Sequence, residues 1–565
     1  MPAEKPMNVV LCWHMHQPEY RDLRTGKIHL PWTYLHGIKD YVDMAAHLES
    51  VPGAKAVVNF APILLEQIED YVEQIGGYLN GHSAIRDPLL GELAEPALPG
   101  DSQERLKLMQ ACLRSNRERI IERFKPYHHL AKMAEWYEEH PNTLTYASNQ
   151  FLADLLVWYH LGWLAESARR QDPRIRKLQE KAINYTVHDR RELLQIILEL
   201  MESIIPRYRA LAEQGKVELC MSPYAHPIIP LLLDMESARE AMPDVSLPVS
   251  THYPGGDERS RWHLQRGREV FERSFGFTPT GLWPSEGGVS QQALQLFSES
   301  GFEWVASGGN VLANSHDAKT KACSHRVYRF GDAQVRCMFR DDGLSDLIGF
   351  TYSDWHAEDA VGNLIGHMEN IAAVCPDRDN CLITIILDGE NAWEFYPRNG
   401  HYFLSNLYEA LAAHPGLTLT TFSDFIADHP AEPAHEEKLV AGSWVYGTFS
   451  TWIGDPGKNR AWELLVEAKQ AFDRQVAAGN LTAEELTAAE HQLAICEGSD
   501  WFWWFGDYNP SATVSQFDQL YRMHLANLYQ LLNVEAPPHL ADVISHGGGD
   551  PAKGGVMRHG TEQHG

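Results

Sequence analysis

Two acidic residues close apolar runs beside tryptophan: Trp283 with Glu286 in GLWPSEGGVS (Gly281–Ser290), and Asp388 with Trp393 in LDGENAWEFY (Leu387–Tyr396). Breaking a glycosidic bond requires such a pair of carboxyl groups, one to protonate the leaving oxygen and one to act as nucleophile or base. Indole rings add flat apolar surface on which the C–H face of a sugar can rest. A glutamate after a tryptophan is, taken alone, an ordinary surface residue. Asp388 carries more weight, because CLITIILD is a strand-forming run that stops at an acid. A continuous β-branched run reads as a strand covered on both faces, as in a parallel sheet. In parallel barrels, polar residues at the C-terminal strand ends are the catalytic ones.

Other residues could join this chemistry. His14 and His16 in HMHQP follow the first apolar run, and residues two apart on a strand face the same way. Such a pair can be half of a metal site, for which His226 and Asp388 could supply further ligands, or it can bond sugar hydroxyls. Glu218, in GKVELCMSPYAHP, is a charge inside a short strand-like run and reads either as an edge position or as facing a polar site. Glu390 shares the parity of Asp388 and could raise its pKa by like-charge repulsion, as a general acid needs. Asp500 and Trp503 stand in SDWFWWFGD, where Asp500 is a helix cap or a substrate ligand and the tryptophans are too clustered to be core alone.

These residues need a frame. Apolar runs recur at Asn8–His14, Ala56–Phe60, Leu144–Ala147, Val217–Met221, Gly281–Pro284, Trp304–Ala306, Arg336–Phe339, Leu382–Asp388 and Leu417–Thr420, with helical patterns such as Ile38–Leu48 and Gln291–Ser300 between them. Strand–helix alternation predicts an α/β fold with a parallel barrel or doubly wound sheet, and functional residues on several strand ends favour the barrel. Asp101–Tyr137 and Pro173–Arg209 read as helical insertions, and Ser246–Ser260 as a long functional loop. The expected division is a catalytic unit over 1–430, a linker at Ala431–Glu437, a helical domain over 431–535 with Thr482 as a helix cap, and a disordered tail over 536–565.

Composition narrows the partners. The 565 residues carry 48 Lys and Arg against 76 Asp and Glu, a formal net charge of −28, which disfavours nucleic acid and anionic membranes and suits a neutral polysaccharide. The 16 tryptophans point the same way. The eight cysteines form no CxxC pair; Cys375 and Cys381 lie close enough in sequence to bridge, but free thiols are expected in a cytosolic chain. VVLCW is too short for a signal peptide or membrane span, so a soluble, cytoplasmic protein is expected.

HMHQP, GKVELCMSPYAHP, GLWPSEGG, LDGENAWE and EGSDWFWWFG, in this order, resemble the sequence blocks of glycoside hydrolase family 57. The resemblance implies a retaining enzyme active on α-glucans, with an incomplete (β/α)7 barrel, helical insertions and a C-terminal helical bundle that helps close the cleft. It implies Glu286 as nucleophile and Asp388 as general acid/base. His14, His16, Glu218 and Glu390 would line the sugar site, and Trp283, Trp393, Asp500 and Trp503 would bind substrate. No metal or other cofactor is implied. The first block is also reminiscent of zinc-dependent α-mannosidases, but the WPSE segment does not fit them. LDGENAWE, FSTWIGDPGKNRAWELL and SDWFWWFGD most resemble amylopullulanases, which cut α-1,4 and α-1,6 links; branching enzymes differ in the fourth block, and glucanotransferases in block spacing. A 4-α-glucanotransferase or an α-1,4-only amylase is the alternative within the family, and a glycan-binding protein without catalysis the alternative of a different class.

Overall fold

The computed structural model describes residues 5–316, 323–429, 432–549 and 557. Ten strands form one sheet: β1 Met7–Met15, β2 Ala56–Phe60, β3 Val217–Met221, β4 Gly281–Leu282, β5 Trp304–Ser307, β6 Tyr328–Phe330, β7 Arg336–Phe339, β8 Leu382–Asp388, β9 Leu417–Leu419 and β10 Ala434–Glu436. Along the path β7-β5-β4-β3-β2-β1-β8 every pairing is parallel, which is the curled, incomplete (β/α)7 barrel. The two edge strands meet through a few bonds: Asp341 N–H donates to Thr384 O at 2.8 Å, Arg340 Nε to Ile386 O at 2.8 Å, and Leu382 N–H to His325 O at 2.7 Å. β9 pairs with Met7–Val9, below the point where β2 begins.

Strand periodicity divides the core in two. In β1, Val9, Leu11, Trp13 and Met15 pack outward in the large cluster with the helices. Val10 and Cys12 face inward with Val57, Cys220, Trp283, Trp304, Ile386, Phe422 and Phe425. Phe422 and Phe425 belong to the helix Phe422–Asp428, which plugs the N-terminal mouth of the barrel. His14 and Asp388 are register partners at the opposite, C-terminal mouth, so both continue the inward row.

The helical insertions stand where the sequence placed them, as Ser102–Cys112, Lys125–Glu139, Pro173–Lys181 and the 27-residue helix Val187–Glu213. Thr482 caps Ala483–Cys496 through a reciprocal capping box with Glu485. Helices Pro456–Ala478, Ser499–Trp504 and Ser511–Leu531 complete the C-terminal helical part. No described helix is long and apolar enough to cross a membrane.

Four expectations are corrected. Leu144–Ala147 is not a strand but the end of a 3-10 turn, Pro141–Tyr146. The expected linker contains β10, which joins the barrel sheet beside β6, so the sheet runs past residue 430. The loop Ser246–Ser260 gives way at Gly256 to the helix Gly256–Phe275. The tail is structured over part of its length: Leu540 is buried, Gly506 N–H donates to Ser545 Oγ at 3.1 Å, and Gly548 and Gly549 both donate to Asn509 O. Residues 550–556 and 558–565 lie outside the described residues.

Candidate active site

A cavity of about 290 Å³ opens at the C-terminal mouth of the barrel, lined among others by His14, His16, Glu286, Asp388, Glu390, Trp444, Asp500 and Trp503. Glu286 follows the two-residue strand β4 in a short turn, with φ 58° and ψ 25°. Left-handed backbone is costly for a glutamate and persists only where its surroundings enforce it. Trp444 enforces it twice: its backbone N–H donates to Glu286 O at 3.1 Å, and its indole Nε1 donates to Glu286 Oε2 at 3.0 Å. The other carboxylate oxygen accepts from Ser499 Oγ at 3.5 Å, and Ser499 Oγ accepts from His226 Nδ1 at 2.9 Å.

Asp388 ends β8. Burial pushes its carboxyl up to about 6, against the pull of Asn391, His16 and Arg340. Asn391 Nδ2 donates to Asp388 Oδ2 at 2.8 Å. The next residue is Gly389, where a Cβ would stand 2.1 Å from Met15 Sδ and would displace the end of that buried side chain. Glu390 is buried and held well above the usual carboxylate range by burial and by the Asp388 and Asp40 charges. Its Oε1 accepts from His16 N–H at 3.3 Å and Gln17 Nε2 at 3.2 Å, while Oε2 has no partner among the described residues.

Three imidazoles stack on one another, with ring centroids 4.0 Å apart for His16 and His226 and 5.0 Å for His14 and His226. Asn59 donates through Nδ2 to Cys220 O, so its Oδ1 accepts from His14 Nδ1 at 2.6 Å and leaves His14 Nε2 as an acceptor. Burial and the neighbouring His16 push His14 down to about 3, so this ring is neutral. His226 is pushed well below the usual range by burial and by His16 and His14. His16 Nε2 donates to Asp500 Oδ1 at 2.8 Å, and the Nδ1 of His16 and the Nε2 of His226 have no partner among the described residues. Buried polar atoms without a partner among the described residues thus cluster beside the cavity.

The structure thus brings together Glu286, Asp388, Glu390, His14, His16, Asp500 and Trp503. It places three predicted residues elsewhere. Glu218 faces inward as its parity requires, but it sits two residues below the level of Cys220, at the plugged mouth. There its carboxylate accepts from Ser423 N–H at 2.9 Å, Ser423 Oγ at 2.5 Å and Trp304 Nε1 at 2.7 Å, anchoring the plug helix. Burial raises its pKa, and those bonds oppose the rise. Trp283 is fully buried beneath the cleft against Trp444, 5.2 Å between ring centroids. Trp393 packs outside the barrel wall on Trp13, Tyr396 and Phe403 and donates Nε1 to Gly389 O, so it supports the acid-bearing loop from behind. Trp501 is buried against Tyr521, whereas Trp504 lines the cleft and stacks on Phe517.

Sequence reasoning overlooked Trp444 and Ser499 and considered His226 only as a metal ligand. His16, His226 and Asp500 do place one donor atom each within 4.8 Å of one another, so a cation could be held there. In the structure as it stands, His16 and Asp500 bond each other and His226 Nδ1 bonds Ser499.

The site thus joins a curled parallel barrel, acids at or just past two of its strands and a helical roof. The sequence profile of glycosyl hydrolase family 57 matches residues 10–436, and the chain belongs to that family. A 1,4-alpha-glucan branching enzyme of Thermococcus kodakarensis is 28% identical over 412 residues, a match spanning 59% of this chain and only 57% of that relative. In fold, the chain is similar to the family 57 branching enzyme of Pyrococcus horikoshii (TM-score 0.57, 16% identity, 94% of this chain and 90% of that one). It is similar also to the alpha-amylase AmyC of Thermotoga maritima (TM-score 0.54, 13% identity, 94% and 93%).

Proposed function

We propose that the protein is a retaining glycoside hydrolase that cleaves α-1,4 and α-1,6 glucosidic bonds in starch- or pullulan-like α-glucans. The observation that carries this reading is the pairing, in one cavity, of a carboxylate held by an indole N–H with an aspartate pushed up to about 6. Glu286 attacks the anomeric carbon and forms a glycosyl ester, while protonated Asp388 gives its proton to the departing glycosidic oxygen. Asp388 then takes a proton from the water that attacks the ester, which restores both residues. The Trp444 and Ser499 donors fix the attacking carboxylate in one orientation. His14 Nε2 and Glu390 accept from sugar hydroxyls, and Trp503 and Trp504 supply apolar ring surface.

A second reading is glucan transfer, in which a sugar hydroxyl replaces water in the second step; the 28% identity to a protein named a branching enzyme favours it. One assay separates the readings. Reducing-end release from pullulan and from soluble starch, abolished in Glu286→Gln, supports hydrolysis of both linkages. Loss of iodine staining with new α-1,6 branches and little reducing sugar supports transfer. Glucan binding with no product from either substrate leaves only the non-catalytic alternative.

A further inference from the structure

At the seam where the barrel edges meet, three cysteines converge from separate elements. Cys375 caps the C-terminus of the helix Ala357–Val374, Cys381 precedes β8, and Cys323 precedes β6. The Sγ atoms of Cys375 and Cys381 are 2.7 Å apart, and Cys323 lies across the seam from Cys381, with its carbonyl accepting from the N–H of Arg326, the residue that bridges Cys381. His325 Nε2 in turn donates to Asp341 Oδ2 at 2.8 Å. The seam's own backbone fixes the arrangement, since Arg326 bridges Cys381 and Leu382 N–H donates to His325 O. The seam therefore gathers three thiols beside an imidazole that is bonded to a carboxylate. None of these residues lines the glucan cleft.

We propose that this cluster is a peroxide-reactive thiol site, in which Cys323 is oxidised first and Cys381 resolves it to a disulfide that Cys375 can take over. Cys323 and Cys375 are partly exposed, so a small hydroperoxide reaches them; Cys12, Cys112, Cys220, Cys337, Cys381 and Cys496 are buried. The neighbouring Cys381 and His325 side chains hold the Cys323 thiol below its usual range. Burial opposes charge on His325, but its bond to Asp341 and the neighbouring Cys323 outweigh burial and raise it to about 9. The thiolate is the form that reacts with peroxide. Burial pushes the thiols of Cys12, Cys112, Cys337 and Cys496 the other way.

The step balances. The Cys323 thiolate attacks one oxygen of hydrogen peroxide, the O–O bond breaks, sulfur is oxidised to sulfenic acid, and hydroxide leaves and takes the proton of the His325 imidazolium. Cys381 sulfur then attacks the sulfenyl sulfur, and the departing hydroxide takes the Cys381 thiol proton. Two waters and one disulfide result, with two electrons passed from the thiols to peroxide. Attack of the Cys375 thiolate on Cys381 Sγ releases Cys323 as thiolate and moves the disulfide to Cys375–Cys381. A bond near 2.05 Å requires each of those two sulfurs to move by well under about 1 Å.

The test uses the reduced full-length chain, treated with about one equivalent of hydrogen peroxide, blocked with N-ethylmaleimide and digested without reductant. Mass spectrometry should find Cys381 linked to Cys323 or Cys375, two thiols lost from eight, and both restored by dithiothreitol. Cys375→Ser should trap the Cys323–Cys381 link, and Cys323→Ser should slow disulfide formation at least about tenfold. Iodoacetamide labelling of Cys323 should already be fast at pH 6, and His325→Gln should move its pH profile upward, which a merely structural histidine would not do. Glucan cleavage by Cys323→Ser without peroxide should equal wild type. Labelling of wild-type Cys323 no faster at pH 6 than in the urea-unfolded chain overturns the proposal, with no variant needed. Oxidation spread over the buried cysteines, or a tightly held zinc ion that shields the three thiols, overturns it equally.

Discussion

The two mouths of the barrel hold buried acids on the same inward face, and the protein treats them in opposite ways. At the plugged mouth, Glu218 is fully engaged by Ser423 and Trp304. At the open mouth, Glu390 Oε2, His16 Nδ1 and His226 Nε2 are buried without a partner among the described residues, and Asp388 is pushed up to about 6. A buried polar atom left unpaired costs about 1–3 kcal/mol. Stability alone would have paired these groups, as it pairs Glu218. Beside the open mouth, Glu390, His16 and His226 carry a cost in stability that Glu218 does not carry at the plugged one.

That contrast can be broken at its strongest point first. Glu286→Gln should reduce kcat by about 10⁴-fold or more while the melting temperature holds, since removing a covalent nucleophile costs that much or more. Azide should restore turnover to Glu286→Ala with formation of an inverted glycosyl azide; loss of under tenfold in the Gln variant would remove Glu286 from its role. Trp503→Ala, at the open mouth, should lower kcat/KM roughly tenfold to a hundredfold through lost ring contact, measured on maltooligosaccharides. A normal kcat/KM with a sharply lower melting temperature would instead make Trp503 a packing residue between the barrel and the roof.

At the plugged mouth, Glu218→Gln should behave in the opposite way. It should cost about 1–3 kcal/mol in urea unfolding and leave kcat/KM within about twofold; a catalytic defect with unchanged stability would return Glu218 to the cleft. The pH profile is a smaller effect. As pH rises through about 6 the proton leaves Asp388, so kcat/KM should fall on an alkaline limb near that value. Asn391 stabilises the ionised form, so Asn391→Ala should shift the limb upward. The stability sign follows: a folded pKa raised above about 3.9 means that ionising Asp388 costs stability, so Asp388→Asn should melt no lower than wild type at pH 8. The smallest expected effect is none: activity should survive EDTA dialysis, and specific restoration by zinc would assign His16, His226 and Asp500 to a metal.

The barrel was legible because its strands are largely apolar runs, and Val217–Met221, Arg336–Phe339 and Leu382–Asp388 stand where those runs do. The sequence leaves the facing of Glu218 open between an edge and a polar site; the structure turns it inward, two residues before the inward Cys220. Height along the barrel axis was not legible, since alternation says which face a residue takes and nothing of which mouth it serves. Trp283 and Trp393 drew notice as neighbours of the acids in sequence. The indole that holds Glu286 comes from Trp444, 158 residues on, in a loop without periodicity. No local pattern announces such a contact.

Ser499 links the roof to the barrel: its N–H donates to His226 O at 2.9 Å, and its hydroxyl stands between His226 and Glu286. Trp444 and Ser499 both lie beyond residue 436, where the family match ends. A chain emerging from the ribosome therefore carries Glu286 and Asp388 before it carries the residues that hold Glu286 in place. The two parts must also travel as one in any chimera: a barrel grafted under a foreign roof would keep its acids and lose the grip that aims them.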